Sequence, residues 1–537
     1  EEGEEGEEAG MGEEAEEAEE WAGEADGERA AAAAAEQADG PGAASLAEPS
    51  PAAAALPGVP VEEAAPATGA EASAPTAVAD ALCSSLRLQL LPPTAAGRVC
   101  RLGALLPCGW EGGVEAALRH VGARSAGGRV GRTPVVVVVG ARNSGKSSFL
   151  RLLANAVLAN AALRRPSGPP AVRLLDCDVG QPELGPAGLL SLRTLHQPLL
   201  GPPLAHRREA HVAADAAVCF GAASPAADPR AYVAAAAHLA AVHAAAAAAA
   251  AAAHAAGEGG EGAPPLLVNT CGWVQGLGLQ LLTDLVATLR PTALLVLERA
   301  DGAAPFPLDE LLRGWRAEEA ATAAAAPAQP LAVLRVPALQ PTDWPTQPGG
   351  GRAEPPPSAS DAREMALLAY FGALPRGVRG LPPSSRGYAS APWQAAISRL
   401  LREPPLAARL SELEVRLLHQ PPLPKGELLR SLNAAVVGLA AQGGEGEADE
   451  CLGLGIVRAV DPASESLLLV TPVPPAALAR AAVLLRGSLE LPVALLQPTP
   501  LTPASPYLGA NALRGAGAGN KQMRSRNNIK RASTPRG

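Results

Sequence analysis

Aromatic side chains make up only 3% of this chain. Without them the interior must be built from Leu, Val and the abundant Ala, and many small buried groups must do what a few large ones usually do. Cysteine is scarce and scattered. Cys83, Cys100, Cys108, Cys177, Cys219, Cys271 and Cys451 form no C-x-x-C pair and have no close His partner, which excludes a disulfide framework or a zinc site and leaves reduced thiols. No basic segment followed by an apolar run opens the sequence, so a secretory signal is not expected. The one long uncharged stretch, residues 233–256, is Ala interrupted by His238, His243 and His254. Ala transfers weakly into lipid, so we expect an Ala-rich helix there and no membrane partner.

What the sequence does contain is charge at its ends. The formal net charge is −10 over 537 residues. Residues 1–30 carry fifteen acids against Arg29, and residues 514–537 carry seven bases and no acid, so the middle is nearly neutral. Length suggests roughly two to four domains, and 48% hydrophobic residues excludes a wholly disordered chain. The basic tail suits phosphate-backbone contact or a nuclear address. The acidic arm has the wrong sign for nucleic acid.

Along the chain, residues 1–79 are too acidic and Ala/Pro-rich to fold and are expected to be a disordered arm. Residues 80–130 read as a short β/α segment, with a strand at 86–91 and a helix at 110–121. Five consecutive Val at 135–139 predict a strand buried on both faces. Helix at 149–163, strands at 172–175 and 266–269, helix at 277–289 and strand at 293–297 continue the alternation of a doubly wound α/β domain over 131–380, with an Ala-rich insertion at 233–262. Short β-like stretches at 413–418, 434–439, 455–460 and 467–470 predict a small mostly-β domain over 381–508, followed by a flexible basic tail at 509–537. Gly453-Leu454-Gly455 lacks the third Gly of a dinucleotide fingerprint and reads as a β-domain turn.

Three motifs carry chemistry. Gly140-Ala141-Arg142-Asn143-Ser144-Gly145-Lys146-Ser147 satisfies G-x-x-x-x-G-K-[ST] between a strand and a helix. Gly140, Asn143, Ser144 and Gly145 would turn backbone N–H groups toward phosphate oxygens, Lys146 would meet the β/γ-phosphates, and Ser147, with Ser148 beside it, would face Mg²⁺. The strand at 172–175 ends in Asp176-Cys177-Asp178, where P-loop enzymes hold a carboxylate beside Mg²⁺. From the residues alone, Asp178 either activates a hydroxyl nucleophile or binds Mg²⁺ through water. Asn269-Thr270-Cys271-Gly272-Trp273 follows a strand's carboxyl end, the ligand side of α/β sheets. Trp273 there either stacks on a base or sugar or belongs to the core.

Together these elements resemble the polynucleotide 5′-hydroxyl kinase family, and within it the nucleolar branch that processes pre-ribosomal RNA. The resemblance rests on residues 140–147, on 176–183 with Gly185, Pro186 and Gly188, and on 268–274 with Gly276 and Gly278. It implies a P-loop NTPase-type parallel sheet core, flanked by a short N-terminal segment and a small mostly-β C-terminal domain. It also implies ATP and Mg²⁺ as cofactors, an RNA 5′-hydroxyl as acceptor, a pre-rRNA spacer endonuclease as partner, and the nucleolus within the nucleus as location. By the same resemblance Lys146 and Ser147 hold phosphate and metal, Asp178 is the base and a metal-side carboxylate, and Gln181 orders the site. Thr270 and Trp273 form a T-x-G-W clasp near the substrate. The family's lid carries two arginines a turn apart; here Arg363 matches the first, and position 367 is Leu.

Overall fold

A computed structural model of the chain describes residues 61–62, 109–126, 133–164, 170–200, 214–256, 263–299, 305–322, 331–339, 359–372, 391–444, 448–461, 464–496 and 506–507. The expected strand at 86–91 and the basic tail lie outside these, as does the acidic arm apart from two residues. Those two, β1 (Val61–Glu62), run parallel to the sheet edge within the stretch expected to be unstructured.

The all-Val run forms β2 (Val135–Gly140), every residue of it buried. β-branched side chains fill both faces of a central strand well, since each face meets a helix layer. Around it the sheet has the order β1-β8-β7-β2-β6-β3-β4-β5, with β3 (Val172–Asp176), β6 (Leu266–Asn269), β7 (Ala293–Glu298) and β8 (Ala332–Pro337). From β1 to β3 every pairing is parallel. The expectation of a parallel sheet needs one correction: β4 (Leu189–Leu195) and β5 (Ala216–Cys219) extend the β3 side antiparallel. Neither strand has the β-branched or alternating signature that would have announced it, because β5 is Ala-Ala-Val-Cys and β4 is mostly Leu.

Helices cover both faces. α1 (Trp110–Ala126) and α2 (Lys146–Arg164) pack on one side, with Phe149, Leu150 and Leu153 in a cluster with Val136 and Val138. α3 (Pro229–Ala255), α4 (Leu277–Leu289) and α5 (Leu308–Thr322) pack on the other against Val135, Val137 and Val139. By length and composition alone, α3 is apolar enough to cross a membrane, yet its first turns bury Tyr232, Ala235, Ala236 and Leu239 against the sheet.

The C-terminal region forms a second sheet of order β10-β14-β11-β12-β13-β9. Its strands are β9 (Leu406–Arg409), β10 (Glu414–Leu417), β11 (Val436–Ala441), β12 (Glu450–Asp461), β13 (Ser466–Val470) and β14 (Val483–Arg486). Gly453-Leu454-Gly455 lies inside β12, contrary to the expected turn. Gly453 adopts φ +149° where the β11–β12 register shifts, a bulge rather than a reversal. This sheet packs on β5 and on α6 (Ala359–Tyr370) and α7 (Ala391–Arg402) through one shared core.

Candidate active site

The site grows from the end of β2. Gly140 and Gly145 take φ +157° and +91°, and Asn143 takes φ +61°; these left-handed positions fold the loop on itself before α2 begins at Lys146. A Cβ on Gly145 would lie 3.0 Å from Leu339 Cβ and 3.1 Å from Trp110, so the loop has no room there for a side chain. Leu339 N–H donates to Ser144 O (2.9 Å), pinning the loop from outside. Ser144 Oγ is buried with no hydrogen-bond partner among the described residues, an orphaned group of the kind a phosphate oxygen would satisfy. Lys146 is buried, and its Nζ donates to Gly140 O (2.9 Å) and Ala141 O (2.8 Å). Burial lowers its pKa, while Asp178 and Cys271 nearby oppose that.

β3 delivers two carboxylates. Asp176 is fully buried; its Oδ1 accepts from Asn269 Nδ2 (3.0 Å) and Asp178 N–H (3.2 Å), and its Oδ2 from Glu183 N–H (2.5 Å). Burial first, then the Asp178 charge, pushes its pKa up to about 6. Asp178 caps the next turn, its Oδ1 accepting from Gly180 N–H and Gln181 N–H, each at 3.0 Å. Burial raises its pKa, against the pull of those amides and of the Lys146 and Arg363 charges. Lys146, Asp178 and Arg363 therefore share one electrostatic neighbourhood. Arg363 sits on α6, where Met365 to Ala369 are buried, so this arginine stands on a packed helix. Leu367 lies in the core shared with the C-terminal sheet.

The segment after β6 lies over the loop. A Cβ on Gly272 would be 2.7 Å from Arg142 Cα and 3.1 Å from Lys146 Nζ. Thr270 is buried, and its hydroxyl donates to Val138 O (2.7 Å), tying the segment to β2 rather than facing outward. Trp273 is half-buried, packed on the main core and against Gly278. Ser147 and Ser148 are half-buried at the start of α2, and Gln181 is exposed. Ser148 Oγ accepts from Arg151 Nη2 (3.4 Å).

The sequence named Asp176 only as one of the strand-end acids and pointed to no role for Asn269, Glu183, Arg151, Cys271 or Tyr232. Arg151 carried a signal that could have found it, standing one helical turn after Ser147. Tyr232 carried none. It enters from α3, donates to Cys177 O (2.8 Å) and lies against the Cys271 thiol.

A glycine loop between a central strand and a helix, beside paired strand-end carboxylates, defines a P-loop phosphate-binding domain. Residues 140–317 match the family model described as "mRNA cleavage and polyadenylation factor CLP1 P-loop", and residues 401–492 match "NOL9-like, C-terminal domain". The chain is similar in sequence to the NOL9 and GRC3 polynucleotide 5′-hydroxyl kinases. It is 29% identical to NOL9 of Danio rerio over 69% of this chain and 48% of that protein. With NOL9 of Arabidopsis thaliana it shares 28% identity over 71% of this chain and 92% of that one. The match spans about half the length of the zebrafish and mouse relatives. The Clp1p–Pcf11p complex aligns structurally at TM-score 0.41 and 12% identity, over 70% of this chain and 78% of that one.

Proposed function

We propose that this chain is a polynucleotide 5′-hydroxyl kinase that transfers the γ-phosphate of ATP to the 5′-hydroxyl end of RNA during pre-rRNA processing in the nucleolus. The observation that carries the reading is the buried Lys146 of the glycine loop beside Asp178, whose carboxyl also feels the Arg363 charge. The residues fit a nucleotide. Ser144 has an orphaned hydroxyl, Lys146 has a buried ammonium, and Ser147 and Asp178 offer hard oxygen donors of the type Mg²⁺ takes. Bound MgATP supplies the γ-phosphoryl group and a cation that offsets its charge.

The protein's own part is positioning and charge. Lys146 trades its two loop carbonyls for phosphate oxygens, and Arg363 brings a second positive charge to the transferring group. Asp178, with its pKa already raised, accepts the proton of the attacking 5′-hydroxyl. Trp273 presents its exposed side to the acceptor's terminal nucleotide. A pre-rRNA spacer endonuclease that leaves a 5′-hydroxyl is the partner this chemistry calls for.

Leu367 in the core leaves one arginine on this face of α6, which favours a second reading: a nucleotide-binding ribosome-assembly factor without turnover. Transfer of labelled γ-phosphate from ATP to a 5′-hydroxyl RNA oligonucleotide separates the two. Wild type should label RNA, Lys146→Ala should lose both transfer and ATP binding, and Asp178→Asn should bind ATP without transfer. ATP bound by wild type with no RNA labelled, even with the nuclease added, would leave the assembly factor standing.

A further inference from the structure

α2 offers two side chains toward β3, one turn apart. Ser147 stands at the loop, and Arg151, four residues later, reaches the turn that follows β3. There Arg151 Nε and Glu183 Oε1 form an ion pair at 3.1 Å without the alignment of a hydrogen bond, and the Glu183 side chain is fully buried. The backbone of the same glutamate closes the turn, its N–H donating to Asp176 Oδ2 at 2.5 Å. Between the two ends of that turn lie Asp178, Gly180 and Gln181, bound to one another by the two amide contacts on Asp178 Oδ1. The turn is thus fixed at its start by Asp176, at its end by Glu183, and to the phosphate-loop helix by Arg151.

We infer that Arg151 and Glu183 are a positioning pair, holding Asp178 and Gln181 at a set height and angle over the phosphate loop. This assignment rests on the kinase reading for its catalytic consequence, although the geometry it describes does not. A hydrophobic pair would fill this space at equal or better stability, because burying two charges costs desolvation that their attraction only partly returns. What the ion pair adds is direction. One rigid guanidinium spans Ser148 Oγ and the Glu183 carboxylate, which fixes how far apart the two can stand, and the carboxylate is two residues from Gln181 and five from Asp178. A base misplaced by about 1 Å loses roughly a hundredfold in rate, so this orientation bears on chemistry more than on folding. Arg151 also donates to Ser148 Oγ, so the pair registers the start of α2 against the turn as well.

The test uses the full chain. Glu183→Gln should lower kcat for RNA phosphorylation by at least roughly tenfold while the ATP dissociation constant stays within about twofold. Arg151→Gln should do the same, and the double variant should be no worse than either single, the signature of residues acting as a unit. Arg151→Lys, which keeps the charge but loses the planar fork, should fall between and covers the case where Glu183→Gln does not fold. Amide hydrogen exchange across residues 176–185 gives a readout independent of turnover: it should speed up in these variants, with exchange in β2 unchanged. Wild-type kcat and wild-type exchange in Glu183→Gln would overturn the proposal, and so would losses that simply follow melting temperature. If wild type transfers no phosphate, the kinase reading fails, and the exchange comparison still decides the pair.

Discussion

Asp176 is a buried carboxyl at the end of β3. Its carboxyl accepts three hydrogen bonds, yet burial and the neighbouring Asp178 push its pKa up to about 6. In the unfolded chain the same group titrates near 4. A carboxyl raised on folding favours the protonated form, so it contributes full stability below its unfolded pKa and loses it as pH rises through about 6. Without nucleotide, moving from pH ~7.5 to ~5.5 should therefore raise stability by about 1 kcal/mol through this group. Asp176→Asn should flatten that slope, at the cost of one acceptor for three donors. Thermal unfolding at the two pH values checks this, and identical slopes in both proteins would remove Asp176 as the source. Asp178 shifts the same way and for the same first reason, burial, so it adds to the slope rather than opposing it.

The segment after β6 works as an element because one of its residues has no side chain. Gly272 has ordinary backbone torsions, since it is absent from the positive-φ positions, and Ala at 272 would therefore meet no conformational strain. It would meet backbone: a Cβ there lies 2.7 Å from Arg142 Cα and 2.8 Å from Arg142 N. Either the segment lifts or the phosphate loop moves. Gly272→Ala should cost about 1–3 kcal/mol of stability and weaken ATP binding by roughly tenfold or more, measured by melting and by nucleotide titration. Unchanged affinity would mean that the segment does not bear on the loop. The motif that contains Gly272 was legible in the sequence, as were the five-Val strand and the helix at 277–289, because each rests on local pattern. β4 and β5 were not, since Leu-rich and Ala-rich strands look alike whether helical or extended, and their pairing is decided by what lies across the sheet. Arg151–Glu183 and Tyr232–Cys271 stayed hidden for a related reason: their partners are 32 and 39 residues apart in the chain, and no periodicity links them.

At the scale of the molecule, the β4–β5 edge of the first sheet and the C-terminal sheet share a core, which bears on how Arg363 is held. Cys219 and Leu189 from the first sheet pack with Val436, Cys451 and Ile456 from the second, and Met365 and Leu368 of α6 fill the space between. α6 is also fastened by polar contacts at Glu364, next to Arg363, and at Tyr370 near its end. Glu364 Oε1 accepts from Ala494 N–H (2.9 Å), and the Tyr370 hydroxyl accepts from Leu454 N–H (2.8 Å). The tightest crossing lies at Gly221, at φ +73°, whose carbonyl accepts from Ser488 N–H at 2.8 Å. A Cβ there would be 2.7 Å from Leu418 Cδ1 and 3.1 Å from Gly487 Cα, both on the C-terminal side. Gly221→Ala should thus combine a left-handed torsion penalty of about 1 kcal/mol with a clash of similar or greater size. Because the clash falls at the crossing rather than in either sheet, calorimetry should show the unfolding transition of wild type broadening or splitting into two. If the chain is the proposed kinase, transfer should fall with it, since α6 loses the surface that holds Arg363 in the electrostatic neighbourhood of Asp178, while ATP binding at Lys146 should persist. A variant that melts in one sharp transition at the wild-type temperature would show that the two sheets do not depend on this crossing, and Arg363 would then owe its position to the first sheet.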